Sequence, residues 1–142
     1  KHFIFNDGFC HVHKSIHSED VKKAKELHPD ALVLAHPECT SDTLALADFI
    51  GSTSQIIDYA TASDSKKFLI CTEMGVFYEL MQKNPDKKFF SVGHRQFCPN
   101  MKKVSLDKVL EKLEDLKDEV ILPEEMCEQA KKPLDEMLRL AQ

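Results

Sequence analysis

ALVLAHPECTSDTLALADFIGSTSQIIDYA, residues 31 to 60, decides how this chain folds. Ala31 to Ala35 is an apolar run of strand length that ends at His36-Pro37-Glu38-Cys39. Phe49-Ile50 is a second, shorter apolar step, and it ends at Gly51-Ser52-Thr53-Ser54. A helix is expected after each polar turn. In open α/β sheets ligands gather beyond the carboxyl ends of the strands, so the two turns are expected to share one crevice.

Working outward toward the C-terminus, Lys67 to Thr72 reads as a buried strand leading into Glu73-Met74-Gly75. Phe77, Leu80 and Met81 follow at helical spacing, Asn84-Pro85-Asp86 is a turn, and Phe89 to Val92 is a further strand. Gly93 to Lys103 has no periodicity and reads as a loop carrying Cys98-Pro99-Asn100-Met101. Ser105 is placed to cap an amphipathic helix with Leu106, Val109, Leu110, Leu113 and Leu116 on one face. Pro123 fits the first turn of a last helix, which Pro133 is expected to kink. Its stripe is Met126, Ala130, Leu134, Met137, Leu138 and Ala141.

Toward the N-terminus, Ser18 is the expected N-cap of a helix striped by Val21, Ala24 and Leu27 and closed by Pro29. Before it, Phe3-Ile4-Phe5 reads as a strand and Asn6-Asp7-Gly8 as a turn. Strands alternating with helices over short connections predict the α/β class: a three-layer αβα domain with a short parallel sheet. Residues 1–17 are expected to close a preceding αβα domain, and residues 18–142 to form the αβα domain with its C-terminal helices.

The chain has 142 residues, 42% hydrophobic and 30% charged, enough for a domain with a true core. A formal net charge of −5 argues against nucleic acid or an anionic membrane as partner. No apolar run reaches the roughly 20 residues of a membrane span. Lys1 to Phe5 is too short for the core of a signal peptide, so no leader is expected. The chain opens without Met, and a fragment is expected. Five cysteines, Cys10, Cys39, Cys71, Cys98 and Cys127, form no CxxC pair, which suits a reducing cytoplasm. Cys71 and Cys127 read as small buried hydrophobes.

Three groups can carry chemistry. Gly51 to Ser54 opens a helix with backbone N–H groups and hydroxyls able to hold a phosphate or carboxylate; plain N-capping explains the same residues. His36 and Glu38, stiffened by Pro37, pair an imidazole with a carboxylate at a strand end, as acid–base work requires. Glu73 ends a strand without an evident partner and reads as structural. Cys10-His11-Val12-His13 gathers a thiol and two imidazoles; in an extended segment His11 and His13 point the same way and suit zinc. Cys98 followed by Pro99 resembles the ending of some iron–sulfur ligand runs.

Five motifs in register, GFCHVH (8–13), HPEC (36–39), GSTSQ (51–55), TEMG (72–75) and CPNMK (98–102), resemble the quinolinate synthase family. The resemblance runs from about Asp7 to the C-terminus and covers the last half or so of that family's chain. It implies three related αβα domains around a cavity, each giving one cysteine to a [4Fe–4S] cluster with one iron open as a Lewis acid. The implied reaction condenses iminoaspartate with dihydroxyacetone phosphate to quinolinate, phosphate and water, in NAD biosynthesis. An aspartate-oxidising enzyme is the implied functional partner.

By the same resemblance Cys10 and Cys98 are cluster ligands. His36, Pro37 and Glu38 contact substrate, with His36 and Glu38 as the acid–base and orienting groups. Thr53, assisted by Ser52, holds a substrate carboxylate or phosphate, and His13 is an active-site histidine. The family pattern tolerates serine at Cys39, which is therefore not made a ligand. The first cysteine ligand and the upstream walls are absent from these residues, so the chain by itself is expected to be inactive. Two rivals stand beside this reading. One is a zinc-dependent hydrolase using His11, His13 and His36. The other is a non-catalytic α/β module that binds a phosphorylated metabolite through Gly51 to Ser54.

Overall fold

The computed structural model describes residue 2, residue 4 and residues 7–141. The expected strand at Phe3-Ile4-Phe5 and the turn opened by Asn6 rest on residues outside that set. The chain divides into two compact units, one ending at Met101 and the other beginning at Lys102.

The first unit is built on four parallel strands: β1 (Leu32–Ala35), β2 (Phe49–Ile50), β3 (Lys67–Cys71) and β4 (Lys88–Ser91). Their order in the sheet is β2-β1-β3-β4. Leu34 lies opposite Phe49 on one side and Ile70 on the other, and Ala35 is opposite both Ile50 and Cys71. All of Leu69, Ile70 and Cys71 are buried, because a parallel sheet is covered on both faces and its central strands read as continuous apolar runs.

Side chains alternate across the strands. Val33, Ala35, Leu69 and Cys71 pack with Val21 and Ala24 of α2 (Ser18–Leu27) and with Leu44 of α3 (Ser41–Leu44). Leu34, Phe68 and Ile70 pack with Ile56, Ile57 and Ala60 of α4 (Thr53–Ala62) and Val76 and Leu80 of α5 (Val76–Lys83). The result is the expected three-layer αβα arrangement. Burying a side chain such as Phe68 contributes about 1.5–3 kcal/mol, and its ring also stacks on Phe89 at 5.5 Å. The last carbonyls of α4 are met by Lys87, whose Nζ donates to Ala60 O and Ser63 O at 2.7 Å each, a favourable cation at a helix C-terminus.

Some local expectations are corrected. Residues 11–14 form a helical turn, α1 (His11–Lys14), rather than an extended segment. Ser18 is the first residue of α2, with His17 at the N-cap position; its hydroxyl donates instead to Asp42 Oδ2 at 2.7 Å. Hydroxyls of Thr40 and Ser18 hold the Asp42 carboxyl down at about 2, below its ordinary 3.8.

The second unit holds α6 (Leu106–Asp115) and α7 (Glu124–Leu140), with Ser105 and Pro123 at their N-cap positions. The latter helix runs through Pro133. Their apolar stripes stay exposed, Leu113 at 69% and Leu138 at 61%. Cys127 is exposed too, not a buried hydrophobe; it sits on a helix with no buried residue at all. No helix among the described residues is long and apolar enough to cross a membrane.

Candidate active site

After β2 the chain passes to α4 and returns to the opposite side of β1 as β3. The strand order therefore reverses at the β1/β3 boundary, which is where such sheets open their crevice. The turn after β1 carries His36 and Glu38, and the turn after β3 carries Thr72 and Glu73. His36 N donates to Cys71 O at 3.1 Å, so the two turns start side by side.

The helical turn α1 places Cys10, its N-cap, and His13 on one side, because residues three apart share a helix face. His13 is only 7% exposed. Its Nε2 is 2.9 Å from the Thr72 hydroxyl, across 59 positions of sequence. Its ring stacks on His36, centroids 4.2 Å apart and planes within 11°. Glu38 Oε2 lies 3.1 Å from His13 Nδ1 and 3.6 Å from His36 Nδ1. Despite the first of these contacts, the buried His13 Nδ1 has no hydrogen-bond partner. His36 Nδ1 accepts the Glu38 N–H at 3.3 Å, which places the His36 proton on Nε2.

Burial holds the His13 pKa below 6.5, and the stacked His36 pushes the same way, against the pull of Glu38. Two stacked imidazoles disfavour a second positive charge, so His13 is a neutral acceptor or donor at neutral pH. Sγ of Cys10, a ring nitrogen of His13 and a carboxylate oxygen of Glu38 all lie within 4.8 Å of one another. These are donors a metal centre uses. His11 is exposed and outside this group, so the expected His11–His13 pairing is not formed. A helix separates neighbours that an extended chain would have aligned.

The cysteines fall into two kinds. Cys39 and Cys71 are buried, and burial pushes the Cys39 thiol up to about 11 and Cys71 higher still. Neither suits a thiolate ligand. Cys10 and Cys98 are half-buried free thiols. Cys98 lies outside the Cys10–His13–Glu38 group and is tied toward it through Glu73, whose Oε1 accepts the Cys98 N–H at 3.2 Å. Glu73, read from sequence as lacking a partner, thus has one, and its charge reaches His13.

The turn after β2 is organised differently. Gly51 is required there, since a Cβ would stand 2.7 Å from the Phe49 ring and 2.9 Å from Gln55 Cβ. Ser52 forms a reciprocal capping box with Gln55: its hydroxyl accepts the Gln55 N–H, and Gln55 Oε1 accepts the Ser52 N–H at 2.8 Å. That uses much of the polar capacity of Ser52 within the helix itself. Thr53 is exposed and lines a cavity of about 300 Å³ together with Thr72, Glu73 and Gly75. Thr72 therefore belongs to both groups: it touches His13 and borders the Thr53 cavity. Pro37 is exposed between His36 and Glu38. Thr72 opens the TEMG motif, but its role is not legible there, since a buried threonine at a strand end carries no local mark of its distant partner.

Fold and donors define an α/β protein that concentrates thiol, imidazole and carboxylate groups at the carboxyl edge of a parallel sheet. The profile of the quinolinate synthetase A protein family (NadA) matches residues 1–139, and the chain belongs to that family. It is 51% identical over 140 residues to a quinolinate synthase of Caldicellulosiruptor bescii, covering 99% of this chain and 46% of that protein. It is 46% identical to quinolinate synthase 2 of Methanosarcina acetivorans, with 94% and 43% covered. A quinolinate synthase of Clostridioides difficile is 42% identical, with 100% and 47% covered. The chain thus spans about half the length of these relatives.

Proposed function

We propose that this chain is the cluster-bearing C-terminal portion of a quinolinate synthase, acting in NAD biosynthesis on iminoaspartate and dihydroxyacetone phosphate. Residues 1–17 then close a preceding αβα domain and residues 18–142 form the next, in a cytoplasmic protein supplied with iminoaspartate by an aspartate-oxidising enzyme. The observation that carries the reading is the meeting of Cys10, His13 and Glu38 at the β1/β3 crevice.

A [4Fe–4S] cluster fits the thiols available. Only Cys10 and Cys98 combine partial exposure with a place at the carboxyl edge of the sheet, while Cys39 and Cys71 are buried with raised pKa values. Cys10 and Cys98 are the two cluster ligands of this chain, and the third lies outside it. The bound cluster supplies a Lewis-acidic iron toward a substrate oxygen.

The remaining roles belong to side chains. Glu38, at once exposed and within reach of two imidazoles, orients substrate and moves protons in the carbon–nitrogen condensation and the loss of water. His36 presents its Nε2–H to a substrate oxygen, with Pro37 fixing the turn. His13, neutral and held by Thr72, accepts or donates one hydrogen bond beside the cluster. Thr53, at the N-terminus of α4, holds a carboxylate or phosphate, with Ser52 shaping that turn through its capping box.

A zinc reading retains one supporting observation, since thiol, imidazole and carboxylate also suit a single zinc ion. Metal analysis separates the two. The synthase reading is tested by anaerobic reconstitution with iron and sulfide followed by a quinolinate assay. The chain alone is expected to give no turnover, and turnover is expected when the N-terminal half of a relative is supplied. Substantial turnover by the chain alone overturns the need for the other half; none in the reconstituted pair overturns the synthase assignment.

A further inference from the structure

Gln96 is 3% exposed in a segment without regular structure, an unusual place for a buried amide. Every polar atom of its side chain is occupied. Oε1 accepts the Val92 N–H at 2.8 Å, and Nε2 donates to Ile70 O at 2.6 Å and Thr72 O at 2.7 Å. Its own carbonyl accepts the Met74 N–H at 2.7 Å. One residue therefore stitches the end of β3, the turn after it and the end of β4 together.

Two positions further on, the Cys98 N–H is held by Glu73 Oε1 at 3.2 Å, while Glu73 Oε2 accepts the Gly75 N–H at 2.6 Å. The stitched turn also carries Thr72, whose hydroxyl holds His13. Segments far apart in sequence, around Cys10, around Glu73 and around Cys98, are thereby tied to the same sheet edge by hydrogen bonds.

We propose that Gln96 and Glu73 are positioning residues that clamp the segment bearing Cys98 to the carboxyl end of β3 and so set where its thiol stands. The use of that thiol as a cluster ligand rests on the synthase reading; the clamp itself does not. Losing Gln96 strands two carbonyls and an N–H that are otherwise satisfied, and such groups resist burial. The segment is then expected to leave the strand end and expose Cys98.

The test is the alkylation rate of each cysteine in the intact chain, resolved by peptide mass spectrometry, with buried Cys39 and Cys71 as reporters of the fold. Gln96→Ala and Glu73→Ala are expected to speed alkylation of Cys98 by about tenfold, the loss of a hydrogen bond to a charged or buried group, with Cys39 and Cys71 still protected. Glu73→Gln is the control for charge. It keeps one acceptor oxygen for the Cys98 N–H but gives up the one that the Gly75 N–H uses, so its rate is expected to fall between those of the parent and Glu73→Ala.

Unchanged Cys98 reactivity in the alanine variants overturns the clamp, as does a Glu73→Gln variant as reactive as Glu73→Ala. If Gln96→Ala also exposes Cys39 and Cys71, the half-buried Glu73 pair decides the matter alone. Failure of the synthase reading has a different signature: no cluster in the reconstituted protein while Cys98 still responds to Gln96 and Glu73.

Discussion

The turns after β1 and β2 are neighbours on one sheet, joined by Gly51 N donating to Ala35 O at 3.1 Å, yet they are held by opposite means. The turn after β2 closes on itself: Ser52 and Gln55 cap each other within four residues. The turn after β1 is held from a distance, with His36 stacked on His13 and Glu38 Oε2 beside the Nδ1 atoms of both rings. His13 in turn depends on Thr72. A self-contained turn fixes the start of α4 without help from the rest of the chain. A turn assembled from three segments can bring a thiol, two imidazoles and a carboxylate to one place, and that is where the chemistry is assigned.

Breaking the distant support is expected to have the larger effect. Thr72→Val keeps the shape but leaves His13 Nε2 buried without its partner, a loss of about 1–3 kcal/mol in urea unfolding. The His13–His36 stack is expected to loosen, seen as shifted imidazole resonances by NMR, while the Ser52 amide stays protected. Loss of protection at Ser52 as well would mean that the two turns are one cooperative unit.

Ser52→Ala is the mirror experiment. It removes one half of the capping box and is expected to cost about 1 kcal/mol, with faster amide exchange confined to the first turn of α4. Unaltered exchange there would show that Gly51 and the strand end alone fix the helix start.

The smallest effect sits between the turns, at Asp42. Its folded pKa of about 2 is below the ordinary 3.8, so the carboxylate's contribution is present above 3.8 and is lost as pH falls through about 2. In Ser18→Ala one of its hydroxyl partners is gone, and the Asp42 carboxyl is expected to titrate closer to 3.8 by NMR. An unmoved titration would assign the whole shift to Thr40 and the nearby backbone.

The contrast also explains what could be read from the sequence. The αβα layering was legible because apolar runs at Ala31–Ala35 and Lys67–Thr72 alternate with helical stripes, and the hydroxyl turn at 51–54 was legible because a capping box is local. The order of strands was not, since nothing in Phe49-Ile50 or Phe68-Leu69-Ile70 states which side of β1 each will take. That order puts the topological switch point between β1 and β3. The helical turn at His11–Lys14 is not legible in sequence, because a single turn next to a polar stretch carries no periodicity to distinguish it from an extended segment. The roles of Gln96 and Thr72 are not legible for the same reason that makes them useful: apart from Val92, their side-chain partners lie 24 to 59 positions away.

The most direct test is the metal content of an anaerobically purified protein of the relatives' full length that contains this segment, compared with its Cys10→Ala and Cys98→Ala variants. The account predicts iron and acid-labile sulfide in equal amounts with brown absorption in the parent, and loss of both in each variant. Zinc at one per chain without colour, or a cluster undiminished by either substitution, would contradict it.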